Sequence, residues 1–194
     1  VQREIAIIKK TNHPNVIQVY DIIETSRFFF FLMELAPNGD LSAYIQTNGK
    51  IPEIEAKRLF NQLISAVFHL HAQGISHRDI KPQNLKLTDE NHIVLLDFGL
   101  SKDTANQSVI SAPGTSGSVV GYTPHFAPME QIRGTGTNPR SDIYSLSATL
   151  YQLMTNVVPA DALSRADVML NGQADPIRPL SELNPEISPA VSSV

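Results

Sequence analysis

The chain has 194 residues, a formal net charge of −4 and a hydrophobic fraction of 42%, which suits one domain with a sizeable core. It contains no cysteine, so disulfides and thiolate metal sites are excluded within these residues. The acidic balance disfavours nucleic acid as a partner, because phosphate backbones are bound by clustered lysine and arginine. The longest apolar run, residues 28–33, is too short to cross a bilayer, and we expect no membrane segment in this chain.

The predicted elements begin with a helix and a hairpin. Residues 1–10 favour an amphipathic helix in which Glu4 and Ile8 lie one turn apart on the same face. Residues 16–24 and 28–34 are β-branched and aromatic runs separated by a short polar turn, which predicts an antiparallel hairpin. We expect its four consecutive phenylalanines to belong to the core.

A long helix follows the hairpin. Pro52 near its start, Gly74 beyond its end and periodic apolar residues between them mark its extent. His69 and His71 on this helix lack a convergent acid or an i,i+4 histidine partner. We therefore interpret both histidines as structural or exposed and not as metal ligands.

The C-terminal third predicts two further helices. Residues 140–154 begin with Ser141 and Asp142, which favour helix starts, and are so apolar on several faces that the helix should be buried. Residues 161–171 suggest one more helix. The proline-punctuated residues 175–189 predict a surface loop.

The stretch most informative about function is residues 77–99, which read HRDIKPQN, LKLTDENHIVLL and DFG. It brings Asp79, Lys81, Asn84 and Asp97 into one short segment, with two strand-like runs between the last two. Transfer of a phosphoryl group from ATP requires a carboxylate to orient the acceptor hydroxyl, bound Mg²⁺ ions and a cation near the moving group. The residue types and their order fit these needs, and the intervening hairpin should deliver Asn84 and Asp97 to one place.

This segment resembles the catalytic loop and metal-binding motif of the eukaryotic-like, Hanks-type serine/threonine protein kinases. The resemblance implies an α+β, two-lobed fold in which helix C and two or three strands form part of a small lobe and a mostly helical large lobe follows. It also implies ATP and Mg²⁺ as cofactors. Catalytic roles are implied for Asp79, Lys81, Asn84 and Thr123, and metal binding for Asn84 and Asp97.

Further roles follow from the same resemblance. Nucleotide contacts are implied for Glu34, Ala36, Asp40, Lys81, Asn84 and Asp97, of which Glu34 and Ala36 belong to the hinge and Asp40 lies near the ribose. Structural or regulatory roles are implied for Glu4, His77, Arg78, Phe98, Gly99, Glu130 and Asp142. Asp142 would hold the backbone of the catalytic loop, and Arg78 would meet a phosphate on the activation loop.

Two positions depart from the family pattern. Met129 stands where the family has a proline immediately before Glu130. Lys86 stands where the family places an apolar residue beneath the adenine. We expect its methylene stem to cover the base while the ammonium group extends outward to solvent.

The resemblance also suggests an organisation. We expect residues 1–35 to be a partial small lobe, residues 36–40 the hinge and residues 41–194 a large lobe that is incomplete at its C-terminus. No glycine-rich loop or small-lobe lysine precedes Glu4, so we expect an internal piece of a cytoplasmic kinase domain that is inactive by itself. The partners would be ATP and proteins with serine or threonine acceptors.

Two alternatives remain open. A pseudokinase or nucleotide-binding regulatory module usually lacks one of the four loop residues that are all present here. A small-molecule kinase of the aminoglycoside or choline type has a loop that reads HGD instead of HRD, and it lacks the segment from Thr123 to Glu130. The wording of the loop is closest to the bacterial branch of the family.

Overall fold

The computed structural model describes residues 9–96 and 123–192. The strands in these ranges are β1 (Val19–Glu24), β2 (Phe29–Met33), β3 (Leu85–Leu87) and β4 (Ile93–Leu95). The helices are α1 (Leu41–Asn48), α2 (Glu53–Ala72), α3 (Met129–Ile132), α4 (Pro139–Thr155), α5 (Ala162–Leu170), α6 (Leu180–Leu183) and α7 (Pro189–Ser192). β1 pairs with β2, and β3 with β4, in two antiparallel sheets. The predicted α+β class is confirmed, whereas the helix predicted over residues 1–10 lies outside the described residues except for a final turn.

The hairpin of β1 and β2 has one covered face. Ile22 lies opposite Phe31 and Ile23 opposite Phe30, and opposite residues share a face of the sheet. Ile22 and Phe31 pack on the main hydrophobic core, but Ile23, Phe30 and the preceding Phe28 are 54%, 55% and 63% exposed. The expectation that all four phenylalanines are core is therefore wrong for Phe28 and Phe30, because alternate strand residues point to opposite faces.

The loop before β1 connects this hairpin to the second sheet. The Ile17 N–H donates to the Leu95 carbonyl at 2.9 Å, and the Leu95 N–H donates to the Asn15 carbonyl at 3.0 Å. The buried Asn15 side chain also donates to the Ile93 carbonyl at 2.8 Å. These bonds fix β4 beside the hairpin of β1 and β2, and so join residues 15–33 to the sheet of β3 and β4.

Helix α1 is absent from our sequence-based prediction. Asp40 caps its N-terminus by accepting a 2.8 Å hydrogen bond from the Ala43 N–H, and Gly49 ends it with φ of 82°, a conformation that glycine adopts at little cost. Leu41 and Ile45 lie on the inner face of α1 and are completely buried. An aspartate before Leu41 and a glycine eight residues later are the local signals that mark this helix.

Helices α2 and α4 both contribute to the main hydrophobic core. The long helix predicted between Pro52 and Gly74 is confirmed as α2, and Gly74 has φ of 76° just beyond its end. Its buried stripe consists of Ala56, Leu59, Leu63, Ala66, Val67 and Leu70. This spacing of three and four residues places one apolar face against the core.

The predicted buried helix over residues 140–154 is confirmed as α4, but it begins earlier than expected. Asn138 is the N-cap, Pro139 occupies the first turn, and the Ser141 hydroxyl accepts from the Asn138 N–H at 3.2 Å. Ser141 and Asp142 lie in the first turn as helix-start residues, and Asn138 supplies the cap. The reciprocal cap satisfies amide groups that would otherwise lack partners.

The last part of the chain covers α2 and α4. Helix α5 agrees with the prediction for residues 161–171, and Asp161 caps it. The predicted loop over residues 175–189 is wrong in part, since it contains α6 and buries Asn184 and Ile187. Asn184 donates to the Met154 carbonyl at 2.8 Å, which anchors the segment to the end of α4. No helix within the described ranges is both long enough and apolar enough to span a bilayer.

Candidate active site

The segment that resembles the catalytic loop, residues 77–84, is anchored by one buried carboxylate on α4. The His77 N–H donates to Asp142 Oδ2 at 2.8 Å and the Arg78 N–H donates to Asp142 Oδ1 at 2.7 Å. Asp142 is completely buried, so these charge-assisted bonds compensate the loss of its hydration. They also hold Arg78 at φ of 71°, a left-handed conformation that a side chain other than glycine rarely adopts.

Asp142 has a further partner that sequence reasoning missed. His71 Nε2 lies 2.7 Å from Asp142 Oδ2, and only 11% of the His71 side chain is exposed. We interpreted His71 as structural or exposed and not as a metal ligand. The structural role fits, but the premise that no acid converges on this histidine is wrong, because Asp142 does. No local pattern marks it, because its acid lies 71 residues away on another helix.

The His77 side chain is buried below the loop. Its Nε2 donates to the Leu96 carbonyl at 2.9 Å, so Nδ1 is the nitrogen that accepts from the Asp79 N–H at 3.3 Å. With both ring nitrogens engaged in this way, His77 fixes the distance between the loop and the end of β4. The packing of His77 against Phe98 that the family resemblance implies falls outside the described residues.

The side chains of Asp79, Lys81 and Thr123 form a closed triangle of polar contacts. Lys81 Nζ lies 2.9 Å from Asp79 Oδ2 and donates to Thr123 Oγ1 at 2.8 Å. Thr123 Oγ1 in turn donates to Asp79 Oδ1 at 2.9 Å. Because the Asp79 and Lys81 side chains are only 11% and 17% exposed, the ion pair is poorly screened by water.

Asn84 completes this cluster from the short turn Pro82–Asn84 before β3. Its Nδ2 donates to the Asp79 backbone carbonyl at 2.7 Å and to Asp79 Oδ2 at 3.0 Å. The amide nitrogen is thereby used, and the amide oxygen is the atom of Asn84 that can bind a cation. Its proposed metal partner Asp97, like Glu4, Phe98 and Gly99, lies outside the described residues. Within the described parts no group of three His, Cys, Asp or Glu side chains is arranged to hold a metal.

The segment after Thr123 is held against α4 and the catalytic loop. Ser145 Oγ donates to the Phe126 carbonyl at 2.7 Å in a buried contact. The Glu130 carboxylate accepts from Ser141 Oγ at 2.7 Å. Gln131 donates to the Arg78 carbonyl at 2.8 Å. Helix α3 with Met129 thus forms despite the missing proline, and it lies beside the catalytic loop.

The residues proposed for the hinge connect β2 to α1. The Glu34 N–H donates to the Gln18 carbonyl at 2.8 Å, and Asp40 caps α1. Lys86 Nζ donates to the Ala36 carbonyl at 2.8 Å. The expectation that the Lys86 ammonium extends outward to solvent is therefore wrong, because the Ala36 carbonyl offers it a hydrogen-bond acceptor within reach.

Comparisons with known proteins identify the family. Residues 1–191 match the family model described as protein kinase domain. The chain is 36% identical over 189 residues to the serine/threonine-protein kinase cds1 of Schizosaccharomyces pombe, covering 93% of this chain and 40% of the relative. It is 31% identical over 193 residues to the probable serine/threonine-protein kinase PknB of Lactococcus lactis, covering all of this chain and 30% of the relative.

A solved structure has the same fold. The crystal structure of Rad53 1-466 in complex with AMP-PNP superimposes with a TM-score of 0.62 at 26% identity, covering 81% of this chain and 38% of that chain. The predicted two-lobed kinase fold is thereby confirmed. With a family match over residues 1–191, the chain belongs to the protein kinase domain family.

Proposed function

We propose that the protein containing this chain transfers the γ-phosphoryl group of ATP to serine or threonine hydroxyls of protein substrates. The observation that carries the proposal is the triangle of Asp79, Lys81 and Thr123, in which all three contacts are 2.8–2.9 Å long. The carboxylate and the cation come from residues 79 and 81, and the hydroxyl comes from a segment more than 40 residues away in the sequence.

Asp79 is the proposed base. In the reaction the acceptor oxygen forms a bond to the γ-phosphorus while the bond from that phosphorus to the bridging oxygen of ADP breaks. The hydroxyl proton passes to Asp79, whose carboxylate is already oriented by Lys81, Thr123 and Asn84. Such prior orientation lowers the barrier because little reorganisation is needed in the transition state.

Lys81 is the proposed electrostatic contact to the moving phosphoryl group. Its ammonium lies between the base and the Thr123 hydroxyl, so a negative oxygen near Asp79 would meet a positive charge at short range. In a site this sheltered from water the attraction is several-fold stronger than at an exposed position. Thr123 would then orient both groups and present the acceptor hydroxyl.

Mg²⁺ is the proposed metal, held by the amide oxygen of Asn84 and the carboxylate of Asp97. Both are hard oxygen donors of the kind that Mg²⁺ prefers, and Asn84 is fixed through its nitrogen by Asp79. When bound, the metal neutralises the phosphate charge. For the nucleotide we propose the backbone of Glu34 and Ala36 at the base and Asp40 near the ribose.

The acceptor class follows from two residues by family resemblance. Lys81 in the catalytic loop and Thr123 before Glu130 are typical of serine/threonine kinases, whereas tyrosine kinases have arginine and proline at these positions. Because the reaction consumes ATP, we place it on the cytoplasmic side of the cell. We keep residues 36–40 as the proposed hinge between a small lobe and a large lobe.

The test is phosphotransfer by the full-length protein. With Mg-ATP and a generic serine/threonine substrate protein we expect turnover, and the Asp79→Asn variant should lose it while its nucleotide affinity stays nearly unchanged. Asp97→Asn should instead weaken Mg-ATP binding. Full activity of Asp79→Asn would refute the role of the base, and activity on choline or an aminoglycoside alone would favour a small-molecule kinase.

A pseudokinase is the second candidate, and one comparison separates it from an active enzyme. A regulatory module would bind Mg-ATP without turnover in the full-length wild type. Calorimetry on the 194-residue chain and on the full-length protein shows in addition whether these residues hold the nucleotide by themselves. Comparable affinity of both would support a nucleotide-sensing role for this chain.

A further inference from the structure

The side chain of Lys86, on strand β3, makes a hydrogen bond to the backbone of residue Ala36. It lies on β3 opposite Val94 of β4, is half-buried, and donates from Nζ to the Ala36 carbonyl at 2.8 Å. Among residues 9–96 and 123–192 no carboxylate lies within ion-pair distance of it. The Lys86 ammonium group therefore has the backbone oxygen of Ala36, in the proposed hinge, as its hydrogen-bond acceptor.

The surrounding chain prevents this oxygen from turning away. Asn38 donates to the Leu87 carbonyl at 3.1 Å, and Asp40 forms an antiparallel bridge with Lys86, so the segment after the hinge runs along β3. Pro37 follows Ala36 directly and restricts it to extended conformations. The Ala36 carbonyl is therefore kept facing Lys86 by the backbone of residues 37–40 and by the hydrogen bond from Lys86 Nζ.

Other polar groups of the hinge backbone remain available. In the part of the chain that the structure describes, the Glu34 carbonyl and the Ala36 N–H have no hydrogen-bond partner. One acceptor and one donor match the edge of adenine, which offers an amino donor beside a ring-nitrogen acceptor. Guanine carries the opposite pair on this edge, the O6 acceptor beside a ring N–H donor. It could pair only after shifting along the hinge, with O6 accepting from the Ala36 N–H and the ring N–H donating to the Ala36 carbonyl.

We propose that Lys86 is a specificity-determining residue which occupies the Ala36 carbonyl and so makes the hinge select adenine over guanine nucleotides. This inference rests on the proposed function, because it concerns the base of the nucleotide bound there. An N–H of guanine that approached the Ala36 oxygen would meet the Lys86 ammonium at the same atom. Two donors, one of them fully charged, repel each other there, and a buried donor left without an acceptor weakens binding.

The test is the ratio of affinities for Mg-ATP and Mg-GTP, measured by calorimetry on the full-length protein. We expect Lys86→Met, which keeps the length of the stem and removes the charge, to reduce the preference for ATP by about tenfold, the value of one hydrogen bond. The change should come mainly from tighter binding of GTP. Lys86→Leu provides a second neutral variant if the first fails to fold.

Two controls separate this role from a structural one. Lys86→Arg keeps a cationic donor and should retain the wild-type ratio. Lys10→Met removes the charge of an exposed lysine in a turn and should also leave the ratio unchanged. A merely structural role of Lys86 would alter both affinities together and leave their ratio constant.

Each outcome is decisive. A ratio that falls in Lys86→Met and Lys86→Leu but not in the two controls supports the inference. Neutral variants that bind both nucleotides with the wild-type ratio overturn it while leaving the proposed kinase function intact. A wild-type protein that binds neither nucleotide refutes the proposed function and the inference with it.

Discussion

The Thr123 hydroxyl donates to Asp79 Oδ1 at 2.9 Å across 44 residues of sequence. This one bond connects the segment before Glu130 to the catalytic loop, and Lys81 closes the contact from the other side. The orientation of the proposed base therefore depends on a residue that belongs to a different element. Several measurable consequences arise from such long-range contacts.

The Thr123 hydroxyl can be removed without disturbing the core. We expect Thr123→Ala to lower kcat by roughly 10- to 100-fold in the full-length protein, because Asp79 loses one of its orienting bonds. Thr123→Ser keeps the hydroxyl and should retain most of the activity. Steady-state kinetics with varied Mg-ATP measures the effect, and equal kcat values for the alanine and wild-type proteins would contradict it.

Asp142 should contribute strongly to stability. The Asp142→Asn substitution replaces one acceptor oxygen by an N–H₂ group that must face the loop N–H donors or His71. Because the site is completely buried, we expect a loss of about 2–4 kcal/mol in the free energy of unfolding. Urea denaturation measures it, and Asp167→Asn on the exposed side of α5 should stay near the wild-type value. Similar values for the two variants would disprove the anchoring role.

Glu53 predicts a pH dependence of stability. Hydrogen bonds from Lys57 and then from Ser188 lower the pKa of Glu53 from 4.5 to about 2. A carboxyl group whose pKa is depressed in the folded state stabilises that state above its unfolded pKa and loses the contribution as the pH falls through the folded pKa. The stabilisation should therefore be complete above pH 4.5 and disappear towards pH 2.

The Glu53→Gln variant tests this dependence. Its urea midpoint should lie below that of the wild type at pH 6, and the gap should close as the pH falls from about 4.5 towards 2. Ser188→Ala removes the hydroxyl contact of 2.9 Å to Glu53. It should reduce the change in urea midpoint with pH without abolishing that change. A gap that stays constant over this range would show that the carboxylate charge does not act through these bonds.

Two apolar residues on α2 should respond very differently to truncation. Leu63 is 1% exposed and Phe68 is 60% exposed, although both belong to the apolar pattern that predicts the helix. We expect Leu63→Ala to cost about 2–5 kcal/mol of unfolding free energy, since it leaves a cavity in the core. Phe68→Ala should cost only about 0.5 kcal/mol. Thermal or urea unfolding compares them, and equal losses would contradict the assigned burial.

Local signals in the sequence determined much of this protein. The order and spacing of Asp79, Lys81, Asn84 and Asp97 predicted the family, which the comparisons confirm. Helical periodicity predicted α2, α4 and α5, because the period of a buried face is set by neighbours in the chain. The bacterial origin and the individual roles of the site residues stay predictions.

Only the tertiary structure decided which partner each polar or apolar group has. His71 and Asp142 are 71 residues apart, and Lys86 and Ala36 are 50 residues apart, so no local pattern relates them. Phe28 and Phe30 read as core by composition but are exposed, because burial depends on what covers a strand face. Residue types and spacing specify the chemistry that is available, whereas long-range packing determines where each charge and each hydrogen bond is placed.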